Sequence, residues 1–166
     1  MSQTGGCLCG AVRYEFTAEP VMQAICHCKN CQRQAGSVLS VIIGLPRDGI
    51  TITGETTTYE DSGESGRKVW RKFCPRCGSS LFTDAESAPQ LWFVKAGTLD
   101  DTTWLKPRIQ FWTKSRMAWM PECEDIPAMA ENPAYGATPA CSSSGPIRPV
   151  SHSHHMRKSA ASDHSG

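Results

Sequence analysis

Seven of the nine cysteines of this chain lie in three closely spaced groups. The groups are Cys7-Leu8-Cys9, Cys26-His27-Cys28-Lys29-Asn30-Cys31 and Cys74-Pro75-Arg76-Cys77. Zinc binds thiolates in tetrahedral sets of four at about 2.3 Å, which places the sulfur atoms about 3.8 Å apart. A Cys-x-x-Cys turn meets that spacing, and the side chains of a Cys-x-Cys pair lie on the same face of an extended segment. The spacing therefore predicts metal binding, with Cys7 and Cys9 on an extended segment.

Seven ligands divide most simply into one complete site of four cysteines and one incomplete site of three. The four cysteines from the two distant groups are predicted to hold a closed, structural zinc: Cys7, Cys9, Cys74 and Cys77. The three neighbouring cysteines are predicted to hold a second zinc with one open position: Cys26, Cys28 and Cys31. Because structural zinc sites are closed and catalytic ones keep a position open, the three-cysteine site is the predicted catalytic site.

Other interpretations of the cysteines remain open. A ribbon-type site could join Cys28-x-x-Cys31 to Cys74-x-x-Cys77, although this would leave Cys26 and Cys7-x-Cys9 without a role. All seven could pack as small hydrophobic residues, although their spacing is regular. Both metals could also be structural, with water or His27 completing the second site. His27 lies between two ligands and would point away from their metal in an extended stretch, which favours a packing or solvent role.

The folded part of the chain is predicted to end near residue 136. Residues 137–166 are rich in Ser, Pro and His, so they cannot bury enough apolar surface to offset the entropy of ordering. We therefore expect one zinc-binding domain over residues 1–136 and a disordered tail over residues 137–166. Cys123, near the end of the domain, and Cys141, in the tail, are assigned to no site.

Charge and hydropathy argue against several classes of partner. The whole chain has a net charge of +1 and the tail, with three cations and one acid, carries +2, so the domain carries +1 − 2 = −1. This is not the basic surface that nucleic acids select, and we recognise neither a signal peptide nor an apolar run of the ~18 residues that span a bilayer. Because the cytosol keeps cysteines reduced, we expect a cytoplasmic metal-binding protein with no nucleic-acid or membrane partner. The sequence does not indicate the oligomeric state.

Hydrophobic patterning predicts an all-β fold with one short helix. The predicted strands either alternate apolar and polar residues or are rich in β-branched residues. They are residues 11–16, 37–45, 50–53, 56–59, 68–73, 80–83, 91–99 and 109–112. Residues 60–66 are predicted to be a polar loop, and residues 30–35, within and directly after the cysteine triple, are the predicted helix. Because the predicted strands follow one another at short intervals, we expect them to pair into an assembly of sheets.

Five motifs resemble, in order and spacing, a known family of enzymes. The motifs are Gly5–Tyr14, Cys26–Arg33, Phe73–Phe82, Ala96–Asp101 and Ser115–Trp119. They resemble the glutathione-dependent formaldehyde-activating enzyme family, with its centromere protein V-like relatives. The resemblance implies a β-tent fold of small antiparallel sheets, a structural zinc at the four-cysteine positions and a second zinc at the triple, hence two zinc ions per chain. It also implies formation of S-hydroxymethylglutathione from formaldehyde and glutathione, a reaction classed as carbon–sulfur lyase in the reverse sense.

An enzyme is the first hypothesis for this chain. An open three-thiolate zinc would bind a small substrate thiol and remove its proton, and the thiolate would then add to a small carbonyl compound. Arg33, Lys114 and Arg116 are candidates to pair with the carboxylates of a glutathione-like substrate. Trp112 and Trp119 could line the pocket or belong to the core.

Two other functions and one departure from the family bear on this hypothesis. Many relatives carry a histidine where this chain has Gln110, which cannot transfer a proton near neutral pH. His27 is the one histidine of the predicted domain, so the metal would have to supply the reactivity.

The alternative is a non-catalytic zinc module that binds a protein partner, and a further possibility is sensing of oxidants or metal. Saturable binding of a small thiol would favour the enzyme.

Overall fold

The computed structural model describes residues 2–63, 65–121 and 123–132, and it shows a mainly β fold. The strands are β1 Gln3–Gly6, β2 Arg13–Phe16, β3 Met22–Cys26, β4 Ser40–Pro46, β5 Ile50–Thr53, β6 Thr57–Ser62, β7 Lys68–Phe73, β8 Ser80–Ala85, β9 Leu91–Lys95 and β10 Ile109–Phe111. The helix α1 is Lys29–Ala35, and three 3₁₀ turns lie at Arg47–Gly49, Ala96–Thr98 and Thr113–Ser115. The predicted disordered tail and Cys141 lie outside the described residues.

The smaller sheet has three antiparallel strands in the order β1-β2-β5. Gly5 of β1 pairs with Tyr14 of β2, and a Cβ at Gly5 would lie 2.3 Å from the Tyr14 Oη atom. Only glycine permits this approach, since real Cβ atoms do not come so close to another atom. The Tyr14 hydroxyl lies 2.8 Å from the Thr98 Oγ1 atom, and this hydrogen bond ties the small sheet to the segment after β9.

The larger sheet has seven strands in the order β10-β3-β4-β9-β8-β7-β6. Its pairs are antiparallel except that β10 runs parallel to β3. Directly paired residues share a face of a sheet, and neighbours along a strand alternate between faces. Val94 pairs with Ile43 and with Phe82, and all three are fully buried in the core. The next residue, Lys95, therefore lies on the opposite face of this sheet.

The core lies between the two sheets. The small sheet contributes Tyr14 and Phe16, and the large sheet contributes the buried side chains of β4, β8 and β9. The rings of Tyr14 and Phe82 pack edge to face with centroids 5.4 Å apart. Complete burial of one such side chain stabilises the fold by about 1.5–3 kcal/mol, so this interface contributes to holding the two sheets together.

Helix α1 is the one α-helix of the described residues. A capping residue at each end limits it to seven residues. Cys28 is the N-cap, and its Sγ atom accepts a hydrogen bond from the Cys31 N–H at 3.3 Å. Gly36 ends the helix with a φ of 60°, in the left-handed region that glycine adopts readily. The prediction of a helix over residues 30–35 is confirmed. None of the helices among residues 2–63, 65–121 and 123–132 is long and apolar enough to cross a membrane.

Most predicted strands differ at their ends from the observed ones, and two of these differences are large. Strand β9 stops at Lys95 and the chain turns into a 3₁₀ helix, so the prediction of one strand over residues 91–99 is too long. Strand β6 continues to Ser62, because residues 57–62 pair with residues 68–73 of β7, so the polar loop begins later than predicted. In both cases the pairing with a neighbouring strand, rather than local composition, determines the end.

Candidate metal centres and active site

Four cysteines from two distant turns meet at one point of the molecule. They are Cys7, Cys9, Cys74 and Cys77, and their sulfur atoms all lie within 4.8 Å of one another. The Cys9 sulfur is 3.6 Å from that of Cys7 and 3.7 Å from that of Cys74. These separations match the ~3.8 Å between sulfurs around a tetrahedral zinc, so the residues fit a metal ion. We refer to these residues as the four-cysteine cluster.

The prediction that Cys7 and Cys9 lie on an extended segment is wrong. Both belong to a turn between β1 and β2, which the Gly10 N–H closes by donating to the Cys7 carbonyl at 3.0 Å. Gly10 has a φ of 73°, and the Cys7 N–H donates to the Val12 carbonyl at 3.0 Å. The turn, rather than strand alternation, brings the two sulfurs together.

A second turn of the same kind presents the other two ligands. The Gly78 N–H donates to the Cys74 carbonyl at 2.9 Å, and Gly78 has a φ of 72°. The Ser79 hydroxyl lies 3.3 Å from the Cys77 sulfur. The hydrogen bonds from the side chain and backbone of Ser79 lower the pKa of Cys77 to about 5. This pKa favours the thiolate, which is the form that binds metal.

The remaining three cysteines form a separate, local cluster. Cys26 ends β3, Cys28 caps α1 and Cys31 lies in the first turn of that helix, and their sulfurs lie within 4.8 Å of one another. We refer to them as the three-cysteine cluster. Hydrogen bonds from Cys26 and Cys28, with the charges of Lys95 and Arg71, lower the pKa of Cys31 to about 2. Hydrogen bonds with Cys28 and Cys31, together with burial, raise the pKa of Cys26.

The two clusters contain the same cysteines as the simplest division of the seven into a set of four and a set of three. No cluster of candidate ligands among the described residues combines Cys28 and Cys31 with Cys74 and Cys77, as a ribbon-type site would require. The four-cysteine set has the number of ligands that a tetrahedral ion needs, whereas the three-cysteine set is one short. Cys123 belongs to neither set.

His27 is buried and faces away from the cavity that the three-cysteine cluster lines. Its side chain is fully buried, and its Nε2 atom lies 3.2 Å from the Gln110 Oε1 atom. The Gln110 amide donates to the carbonyls of Cys123 at 3.2 Å and Ile126 at 3.1 Å. Gln110 thus joins His27 to the segment that follows β10, and neither residue lines the cavity. His27 has the packing role that its position between two ligands predicts.

The three-cysteine cluster opens into a cavity of about 340 Å³ on the outer face of the seven-stranded sheet. Apolar walls come from several strands: Met22, Ile42, Val69, Phe93 and Phe111. Three cationic side chains also line this cavity: Arg67, Arg71 and Lys95. None of the described residues that line it is acidic. The cavity therefore combines thiols, apolar surface and positive charge.

The cavity cations are held in different ways. Arg71 is 7% exposed and donates to the Asp61 carboxylate and to the Gln34 amide oxygen, each at 2.8 Å. Lys95 is also 7% exposed, but its Nζ atom donates to the Ser40 hydroxyl at 3.1 Å rather than to an acid. Burial lowers the pKa of Lys95, although the nearby thiolates act in the opposite direction. The positive charge of Arg71 is thus paired, and that of Lys95 faces the three-cysteine cluster.

The cations predicted to bind substrate lie elsewhere. Arg33 is exposed and lines a second cavity, of about 420 Å³, which shares Asn30 and Arg71 with the first. Lys114 forms an ion pair with Glu131 at 2.6 Å. Neither Lys114 nor Arg116 lines a described cavity. Trp112 lines the first cavity, whereas Trp119 is 71% exposed.

Sequence reasoning missed the buried cations, although a signal was present. Lys95 ends the most apolar strand of the chain, Leu91–Lys95, and Arg71 lies in the middle of β7. A charged residue within a buried strand is rarely fully buried without a functional or structural partner. That pattern could have identified both positions, but not the face of the sheet to which they belong.

Comparisons with known proteins find a matching family model, a curated relative and a solved structure. Residues 2–115 match the family model described as glutathione-dependent formaldehyde-activating enzyme. A Podospora anserina protein, named as a proposed enzyme of this kind, is 25% identical over 114 residues. That match covers 66% of this chain and 53% of the relative, so the chain spans about half the length of this curated relative. The crystal structure of a Rhodobacter sphaeroides protein is 21% identical and covers 63% of this chain and 92% of its own, with a TM-score of 0.48.

Proposed function

The chain belongs to the glutathione-dependent formaldehyde-activating enzyme family, and from this we propose that it is a zinc-dependent carbon–sulfur lyase. Its substrate would be the adduct of a small thiol, such as glutathione, with a small carbonyl compound. The observation that supports this proposal is the contrast between the clusters. Four cysteines make a closed set, whereas three cysteines line a cavity large enough for a small molecule.

We assign two zinc ions to the two clusters. The four-cysteine cluster would hold a structural ion, and the three-cysteine cluster would hold a second one with its three thiols. The three thiols would leave such an ion one open coordination position, and the chemistry it would supply there is deprotonation of a bound substrate thiol. The clusters need reduced cysteines, which suits a cytoplasmic location.

The residues of the cavity would orient the reactants and stabilise negative charge. Lys95 and Arg71 place positive charge beside the cluster, which favours thiolates over thiols there. In the synthetic direction a sulfur–carbon bond forms, the π electrons of the carbonyl move to its oxygen, and the thiol proton ends on that oxygen. The reverse reaction breaks the same bond, so the balance requires no oxidant or reductant.

The carboxylates of glutathione need a separate set of contacts. We propose Arg33, Lys114 and Arg116 for this role, and Arg33 is the best placed of the three. It lines the second cavity, which adjoins the first at Asn30 and Arg71. A tripeptide whose thiol reaches the three-cysteine cluster could thus extend over helix α1 toward Arg33.

The test measures metal content and exchange catalysis on the same preparation. We expect two zinc ions per chain by native mass spectrometry, and faster exchange between glutathione and S-hydroxymethylglutathione by NMR exchange spectroscopy. Cys31→Ser should lose the exchange activity, and Cys123→Ser, outside both clusters, should keep it. If the wild type binds zinc but no small thiol perturbs it saturably, the protein is a non-catalytic zinc module instead.

A further inference from the structure

We propose that Lys95 and Thr83 form a subsite for a negatively charged oxygen of the carbonyl-derived part of the ligand. This inference rests on the proposed function, since it assigns the ligand chemistry of the same cavity. The oxygen could be the oxyanion that forms at the carbonyl carbon or a carboxylate that the carbonyl compound carries. Both have the same chemistry toward an ammonium group.

The sheet places Lys95 on the same face as the three-cysteine cluster. Cys26 of β3 pairs with Ser40 of β4, and two residues further along β4 Ile42 pairs with Lys95 of β9. Paired residues share a face, and so do residues two apart in a strand. The thiol of Cys26 and the ammonium of Lys95 therefore project from one surface, with Ser40 beside both.

The hydrogen-bonding capacity of Lys95 is only partly used. An ammonium group has three N–H donors, and among the described residues only the Ser40 hydroxyl accepts one. Arg71 differs, because its charge is paired with the Asp61 carboxylate and it also donates to Gln34. A buried cation with spare donors, at a cavity where no described lining residue is acidic, is complementary to an anionic oxygen.

Thr83 provides an independent second observation. It lines the same cavity, and its Oγ1 atom is buried without a hydrogen-bond partner among the described residues. Thr83 pairs with Phe93, which lies two residues before Lys95, so Thr83 and Lys95 are diagonal neighbours on that face. Diagonal neighbours lie roughly 7–8 Å apart, so the long lysine side chain and the threonine border the same part of the cavity.

A simpler role for Lys95 is to neutralise the thiolates of the three-cysteine cluster. Three thiolates around a divalent ion carry a net charge of −3 + 2 = −1, which one ammonium could balance. That role needs no contribution from Thr83, which is uncharged, and it predicts loss of metal rather than loss of ligand discrimination when Lys95 is replaced. The two roles can therefore be separated by experiment.

The experiment compares Lys95→Met, Thr83→Val and the control Lys106→Met, which changes an exposed lysine outside the cavity. The readouts are zinc per chain, the affinity for glyoxylate without thiol by ligand-observed NMR, and the rate of adduct exchange with glutathione. The exchange rates use glyoxylate and its uncharged counterpart glycolaldehyde. All variants are measured as the zinc-loaded full chain.

We expect Lys95→Met to keep two zinc ions and to lose on the order of 10- to 100-fold, as for a lost hydrogen bond to a charged group. The loss should fall on glyoxylate affinity if the carboxylate is bound, and on the exchange rate of both aldehydes if the oxyanion is bound. Thr83→Val should lose about 2- to 10-fold, and Lys106→Met should match the wild type. Equal slowing of both aldehydes in Lys95→Met identifies the oxyanion as the bound group. Slowing of glyoxylate alone identifies the carboxylate. Either result supports the subsite.

The proposal is overturned if Lys95→Met binds glyoxylate as the wild type does and also exchanges both aldehydes with glutathione at the wild-type rate. It is also overturned if that variant loses its second zinc while Thr83→Val behaves as the wild type, because Lys95 would then serve only as a counter-ion. The proposed function fails in a different way. A wild type that binds glyoxylate through Lys95 but accelerates no adduct exchange would retain the subsite and refute the lyase.

Discussion

The two cysteine clusters differ in what they connect. The four-cysteine cluster joins the turn between β1 and β2 of the small sheet to the turn between β7 and β8 of the large one. Cys9 and Cys74 are 65 residues apart in sequence, yet their sulfurs are 3.7 Å apart. The three-cysteine cluster draws all its ligands from six consecutive residues. A long-range connection restricts the unfolded chain far more than a local one, which suits the first cluster to stability and the second to chemistry.

The elements that position the three-cysteine cluster are held by polar contacts rather than by the core. The Asn30 amide donates to the Asp61 carboxylate at 3.2 Å, and Gln34 accepts from Arg71 at 2.8 Å. These contacts dock α1 onto β6 and β7. The four-cysteine cluster instead lies beside the hydrophobic core, in which Cys7 and Cys74 are themselves buried. The fold thus places two ligands of its closed cluster within the hydrophobic core and its open cluster on the face that bears the cavity.

Removal of one ligand from the four-cysteine cluster should have the largest effect. Cys77→Ser is expected to unfold the domain at 25 °C, because structural zinc contributes about 10 kcal/mol or more and whole domains are stable by only about 5–15 kcal/mol. Far-UV circular dichroism and native mass spectrometry measure the loss of fold and metal. The control Cys123→Ser should be folded at 25 °C and should keep its metal, as the wild type does. A folded Cys77→Ser protein would show that the inter-sheet core suffices without this cluster.

Removal of one ligand from the three-cysteine cluster should affect activity rather than fold. Cys31→Ser is expected to reduce thiol–carbonyl exchange by at least about 100-fold, while its Tm changes by no more than about 5 °C. One preparation supplies both measurements, by NMR exchange and by thermal unfolding. If Cys31→Ser and Cys77→Ser unfolded equally, the division into a structural and a catalytic cluster would be wrong.

A change in the polar network that docks α1 should have an intermediate effect. Asp61→Asn leaves the buried guanidinium of Arg71 without its carboxylate, which is expected to cost about 2 kcal/mol. The effect should be confined to the region of the three-cysteine cluster, so hydrogen exchange should accelerate in α1 and β6 but not in β1 or β2. The matched control Asp101→Asn changes an exposed carboxylate that contacts only Thr103 among the described residues, and it should leave α1 unchanged. Uniform acceleration across both sheets would mean that the network supports the whole fold.

Several features of the fold could be predicted from the sequence because they are local. Strands β5 and β7 have the predicted bounds, since their side chains alternate and turn residues flank them. The predicted helix over residues 30–35 lies within the observed helix, whose caps Cys28 and Gly36 are local to the same segment. The division of the cysteines followed from ligand counting, which needs no knowledge of the fold.

Other features could not be predicted, because they depend on contacts between distant segments. Strands β1 and β3 were not predicted, since Gln3–Gly6 holds two glycines and Met22–Cys26 has no regular alternation. Pairing with β2 and with β4 and β10 makes them strands, and such tertiary context overrides local preference. The cavity cations Lys95 and Arg71 were missed for the same reason, because the face of a strand that meets a cavity is set by sheet packing.

The smallest expected effect concerns a polar link that also joins the two sheets near the four-cysteine cluster. The Asp100 carboxylate accepts from Arg13 Nη1 at 3.1 Å and from the Thr4 hydroxyl at 2.6 Å, and these contacts lower its pKa. A carboxylate whose pKa is lowered by folding stabilises the protein above its unfolded pKa, near 4, and loses this contribution as pH falls through the folded value. Asp100→Asn should therefore lower Tm by about 1–3 °C, as for an exposed ion pair, and by the same amount at every pH between about 5 and about 8.

Thermal unfolding of wild type and Asp100→Asn across that range measures the difference directly. A constant, small difference would mean that the polar link adds little to an inter-sheet connection that the cysteines and the core already provide. A loss of 10 °C or more would instead make Asp100 a principal connection between the sheets, and the four-cysteine cluster would no longer be their dominant link. A difference that changed between pH 8 and 6 could not come from this carboxylate, since it is ionised in both folded and unfolded chains there.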